Sequence, residues 1–75
     1  MIKHTLANAA CHQRLRVVGF QGDIKLQQIL MERGIRKGVE IYKCCRGFDI
    51  IFKVGSMRIA LREEASKSIL VEAID

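Results

Sequence analysis

Cys11 and His12 are adjacent in this chain, as are Cys44 and Cys45, and the four supply the thiolate and imidazole ligands that zinc and ferrous iron accept. Four such groups would complete a tetrahedral site. Their spacing makes it a poor one, because adjacent residues of a strand point to opposite faces, so Cys44 and Cys45 can share an ion only at an irregular strand end. The alternative is that Cys44 or Cys45 fills a small apolar gap while Cys11-His12 lies in a surface turn. Three cysteines cannot all pair within one chain, and joining two adjacent ones would close a strained ring, so a disulfide scaffold is not expected. His4 has no Cys, Asp or Glu beside it and reads as part of a flexible N-terminus with no role.

A second group has the chemistry of a docking surface. Arg33, Arg36 and Lys37 flank Gly34, Ile35 and Gly38, so an exposed Ile35 ringed by cations would suit a protein partner. The competing explanation is local: cations near a helix C-terminus complement its dipole, and Ile35 can fold back as the hydrophobic member of a Schellman cap. Both stay open at this point. Arg14, Arg16, Arg46, Lys53, Arg58 and Arg62 add outward charge along several segments, for which a solvated exterior is the default reading. Thirteen basic and eight acidic residues give 13 − 8 = +5, and a pI near 9.5 favours acidic partners without saying which. No nucleic-acid partner is expected, because one Tyr, three Phe and no Trp leave only Tyr42 free to stack on bases. There is no Gly-rich phosphate loop and no plausible Ser-His-Asp grouping, and Glu63-Glu64 fall on an exposed turn, so catalysis is not expected.

The elements that must position these residues are short. Six glycines and no proline divide the 75 residues into segments mostly too brief for helices. Arg14 to Phe20 alternates until Val18 breaks the parity beside Gly19, which predicts a strand with a bulge or sharp bend. Ile24 to Arg33 is the one convincing amphipathic helix, with Leu26, Ile29 and Leu30 at helical spacing, Asp23 as N-cap and Gly34 as the stop. Val39 to Lys43 reads as a strand, Arg46-Gly47 as a turn, and Phe48 to Val54 as a strand with Phe48, Ile50, Phe52 and Val54 on one face. Gly55-Ser56 predicts a hairpin, returning through Met57 to Arg62 with Met57, Ile59 and Leu61 inward. A single helical turn over 63–68 and a last strand over Ile69 to Ala73 complete the order β, α, β, β, β, β.

A domain this small buries only roughly 60% of the surface its unfolded chain exposes, which leaves little room for both a core and a deep substrate cavity. Five strands in a flat sheet would leave two open edges, so curling is favoured. The expected fold is mainly β: one domain over residues 1–75, a small SH3-like β-barrel of about five strands with one helix after the first, the helix closing an open end. An OB-type barrel is the alternative. No apolar run approaches the roughly 18 residues of a membrane span, and no secretory or transit segment is recognisable, so a cytoplasmic location is expected.

Thr5-Leu6-Ala7, Arg16-Val17-Val18, Leu26 with Leu30 through Ile41, and Met57 through Ala65 with Ile69-Leu70-Val71 together resemble the FeoA family of ferrous-iron transport accessory proteins. The most specific pieces are Leu30 to Gly38 and Ile59-Ala60-Leu61-Arg62 running into Glu64-Ala65. The resemblance implies an SH3-like barrel that assists FeoB, the membrane Fe(II) transporter with a cytosolic GTP-binding domain, by modulating its assembly or nucleotide cycle. It implies recruitment to the inner face of the membrane through the partner. No cofactor is expected to be required; Fe(II) or Zn(II) would be the ion of the Cys/His set, and open barrel edges leave β-edge pairing into a homodimer as an option. Similar domains end metal-dependent repressors of the diphtheria-toxin-repressor type. Only a few residues precede the domain here, so a stand-alone protein without a helix-turn-helix is expected. The family's turn carries proline where this chain has Lys37, its Pro-Gly before the first barrel strand is replaced by Cys11-His12, and its Gly-Asp-Pro hairpin is shortened to Gly47-Phe48-Asp49. A second reading, from the residues alone, is a small metal-binding or metal-responsive protein using the Cys/His set; a third is a nucleic-acid-binding barrel.

Overall fold

A computed structural model describes residues 4–46 and 49–74, without the side chains of 45 and 46. The elements in chain order are β1 (His4–Thr5), β2 (Gln13–Phe20), α1 (Ile24–Glu32), β3 (Glu40–Arg46), β4 (Asp49–Val54), β5 (Met57–Leu61), α2 (Glu63–Ser66) and β6 (Ile69–Ala73). The strands form one antiparallel sheet in the order β1-β6-β2-β3-β4-β5. Leu6, Leu15, Val17, Leu30, Ile35, Ile41, Phe52, Ile59, Ile69 and Val71 are buried in a single cluster, so one face of the sheet and one flank of α1 share a core.

Most expected elements are present for the expected reasons. The register between β2 and β6 slips between Val17 and Gly19, so the parity break at Val18 is a bulge that lets the strand turn. A Cβ on Gly19 would meet Leu70 Cδ1 at 3.7 Å, an ordinary contact, so the bulge does not depend on missing volume there. Asp23 caps α1, its Oδ1 accepting from the Lys25 and Leu26 amides at 2.9 and 3.4 Å. Leu30 of α1 is buried and Leu26 half-buried, whereas Ile29, assigned to the same apolar stripe, is 48% exposed on the far flank.

Four further expectations change. His4 is not loose: β1 pairs with β6, His4 opposite Val71 and Thr5 opposite Leu70, because the amide of Leu6 bonds the Ile69 carbonyl and seats Leu6 in the core. The strand count therefore rises to six. Met57 is 44% exposed rather than inward, since it begins β5 at the hairpin, beyond the edge of the core. Ile59 is buried and Leu61 half-buried, as the alternation requires. Cys11 is disulfide-bonded, a pairing that the absence of a disulfide scaffold in the sequence left unanticipated, because the β2–β3 ladder carries the Cys11-His12 segment to the end of β3, where the His12 amide bonds the Lys43 carbonyl at 2.7 Å. The expected Gly47 turn, the inward Phe48, the outward Arg46 and the ligand role of Cys45 lie outside the described residues.

Candidate functional site

The basic turn after α1 is built by backbone hydrogen bonds rather than by proline. The Gly34 amide bonds the Met31 carbonyl and the Ile35 amide bonds the Leu30 carbonyl, both at 3.0 Å, with Gly34 at φ +92°. That pair of bonds is a Schellman cap, and its hydrophobic member Ile35 is fully buried. Ile35 is thus a core residue and not an exposed anchor, which corrects one of the two readings of this segment. Gly38, at φ +95°, sends its amide to the Val17 carbonyl at 2.7 Å, and the Val17 amide returns to the Val39 carbonyl at 2.9 Å. The turn is therefore tied to β2 on its far side, which explains how Lys37 replaces a rigid residue without loss of shape.

Arg33, Arg36 and Lys37 remain exposed on this framework. Arg36 Nε donates to the Met31 carbonyl at 3.3 Å, holding its guanidinium against the helix end. Among the described residues none of the three cations has an ion-pair partner, whereas Arg14 pairs with Glu40 at 2.6 Å and Arg16 with Glu72 at 3.5 Å. On a backbone fixed by these bonds the turn therefore presents three cations without an ion-pair partner among the described residues, the arrangement an acidic partner surface would meet.

The cysteine and histidine candidates meet at the end of β3, where the His12 amide bonds the Lys43 carbonyl, but each described side chain is engaged differently. Cys11 is held in its disulfide, His12 is exposed with a left-handed backbone at φ +58°, and Cys44 is a half-buried free thiol opposite Ile51. Among the described residues no group of three or more His, Cys, Asp or Glu side chains is gathered to hold a metal ion.

Lys43 is the residue that pattern reading passed over. It is 3% exposed, and its Nζ donates to the Ala9 carbonyl at 2.6 Å and the Ala7 carbonyl at 3.3 Å, clasping the segment between β1 and β2 onto β3. Burial holds its ammonium below its ordinary pKa of 10.5, because desolvation penalises the charged form. The signal was in the sequence: Val39, Ile41 and Lys43 share one parity, so an inward Ile41 requires an inward Lys43. Beside this clasp, His4, Asn8, Ala9, Gln13, Leu15 and Val71 help to line a mainly apolar cavity of about 220 Å³.

Several solved structures share this fold. A FeoA-like protein from Clostridium acetobutylicum is 25% identical, with a TM-score of 0.85 over 99% of this chain and 90% of that one. FeoA from Stenotrophomonas maltophilia, complexed with zinc and described as an SH3 domain protein and a candidate activating factor for bacterial ferrous iron transport, is 26% identical, with a TM-score of 0.82 over 92% of this chain and 89% of that one. A manganese-dependent transcriptional repressor shares the fold at 16% identity and a TM-score of 0.84, over 96% of this chain but only 42% of its own. No curated protein matches the chain in sequence. The sheet is thus the expected SH3-like one, and the FeoA domain model matches residues 4–73 of the 75. The chain belongs to the FeoA family, which is linked to ferrous iron transport.

Proposed function

We propose that this protein is a non-enzymatic, cytoplasmic accessory of ferrous iron uptake that docks on the cytosolic part of an FeoB-type transporter and modulates its assembly or nucleotide cycle. The observation that carries the reading is the FeoA match over residues 4–73, and the basic turn of Arg33, Arg36 and Lys37 is the docking surface it favours. Gly34, Ile35 and Gly38 act there as the frame, with Ile35 in the core and the two glycines supplying left-handed backbone. No helix among the described residues is long and apolar enough to cross a membrane. In this reading the partner recruits the protein to the inner membrane face. The test is co-purification with the transporter's cytosolic region. Arg36→Glu with Lys37→Glu should abolish capture without lowering the melting temperature by more than a few degrees; undiminished capture would move docking to another face.

A second reading is favoured by one observation, the zinc bound to the Stenotrophomonas maltophilia relative. Here the ligands would be His12, Cys44 and Cys45 with Cys11, once a reducing cytosol has opened its disulfide. Anaerobic titration of the reduced protein with Zn(II) or Fe(II), followed by NMR, tests it: stoichiometric shifts at His12 and Cys44 support the site, and an unchanged spectrum removes it.

A further inference from the structure

The outer face of the sheet carries a row of side chains that the docking reading does not use. Arg14 stands opposite Tyr42, Tyr42 opposite Lys53, and Lys53 opposite Arg58, so the four lie abreast on β2, β3, β4 and β5. Directly opposed residues in antiparallel strands project from one face, and three strand spacings of about 4.8 Å make the row about 14 Å long. Arg14, Lys53 and Arg58 are exposed and Tyr42 is half-buried. Arg14, Glu40, Tyr42 and Lys53 line a shallow depression of about 250 Å³ with Gly55 at its rim, where a Cβ would meet nothing within 4 Å.

Two features separate this row from an ordinary solvated exterior. Lys53 and Arg58 are like charges directly opposite each other, an arrangement that weakens a sheet. Among the described residues neither has an ion-pair partner, and the acid in the depression, Glu40, is already held by Arg14 at 2.6 Å. On β2 each outward arginine is matched by an acid; across β4 and β5 the charge is left unbalanced, and it is left beside the chain's only tyrosine. An anion between Lys53 and Arg58 would relieve their repulsion. A planar group on the Tyr42 ring would stack about one and a half strand spacings, about 7 Å, from that anion.

We infer that the Tyr42, Lys53 and Arg58 row binds a nucleoside phosphate, free or as one residue of a single strand, with the base on Tyr42 and the phosphate between Lys53 and Arg58. An acidic protein segment would use the cations but give the Tyr42 ring no partner, so the nucleotide is the better fit. The scarcity of aromatic residues argued against such a ligand from sequence; the register changes the argument by placing the single tyrosine among three cations.

The test is a titration of the full chain at fixed, moderate salt with four probes: ATP, a single-stranded oligothymidylate of about 10 nucleotides, inorganic phosphate and polyglutamate. Saturable binding of ATP or of the oligonucleotide, weakened about tenfold by Arg58→Thr and by Tyr42→Leu, supports the site. Preference between those two probes then assigns the source. Arg58→Thr removes the like-charge pair, so it should bind worst while melting no lower than the parent, an outcome that loss of fold cannot mimic. Binding that Tyr42→Leu leaves unchanged, phosphate as tight as ATP, or polyglutamate competing as well as the oligonucleotide would each overturn the inference.

Discussion

Lys43 shows how a single residue can set both the shape and the pH response of a small fold. Its ammonium is buried among carbonyls with no carboxylate on it among the described residues, and its pKa is lowered by desolvation. Between that lowered value and 10.5 the unfolded chain binds the proton that the folded chain has released, so stability contributed by this group rises with pH across the window. Below the window the full desolvation penalty is present. The stability of the parent relative to Lys43→Met should therefore improve as pH is raised towards 10.5, measured by urea unfolding of both proteins at several alkaline pH values; a constant difference would show that the group is not desolvated. Gly34 and Ile35 make a second residue-scale prediction. Gly34→Ala meets no neighbour within 4 Å, so its effect is purely that of a left-handed backbone and should be about 1 kcal/mol. Ile35→Ala removes a fully buried side chain and should destabilise by about 2–5 kcal/mol. If Ile35→Ala were as mild as Gly34→Ala, the residue would be a surface anchor after all. Sequence alone could not rank these two, because a Schellman partner and an exposed hot spot share the same local pattern. Lys43 was legible by parity, but a charged residue after alternating apolar ones reads naturally as the strand's wet end.

At the scale of elements, what was legible followed from local rules and what was missed depended on distant contacts. The α1 caps, the bulge at Val18 and the Gly55-Ser56 hairpin are each encoded by a few neighbouring residues. β1 is not: two residues have no period, and His4–Thr5 becomes a strand only because β6, more than sixty residues later, offers Val71 and Leu70 as partners. Met57 likewise follows the alternation of β5 yet ends outside the core, since the core stops before the hairpin does. The Cys/His group was legible as a set of residue types but not as a disulfide, because the pairing depends on which strand lies next to which. Asp23→Ala tests the helix directly. It removes the side-chain acceptor for the Lys25 and Leu26 amides and should lower unfolding free energy by about 1 kcal/mol. Hydrogen exchange should quicken first in the opening turn of α1; uniform quickening across the sheet would mean that helix and barrel open together.

The whole molecule is a small cationic barrel whose charge is unevenly neutralised. Cross-strand acids match the arginines of β2, while the basic turn after α1 and the row on β4 and β5 have no ion-pair partners among the described residues. Binding at either place should weaken as salt rises, and binding at one should survive charge removal at the other if they are separate surfaces. The proposed docking of the turn onto a ferrous iron transporter belongs at this scale. The most direct measurement is a titration of the protein against the isolated cytosolic GTP-binding domain of the FeoB-type transporter from the same cell, with GTP analogue, with GDP and without nucleotide. Docking through the turn should give saturable binding that differs between nucleotide states and falls about tenfold or more on Arg36→Glu with Lys37→Glu. Absence of binding in every nucleotide state, with both proteins folded, would contradict it.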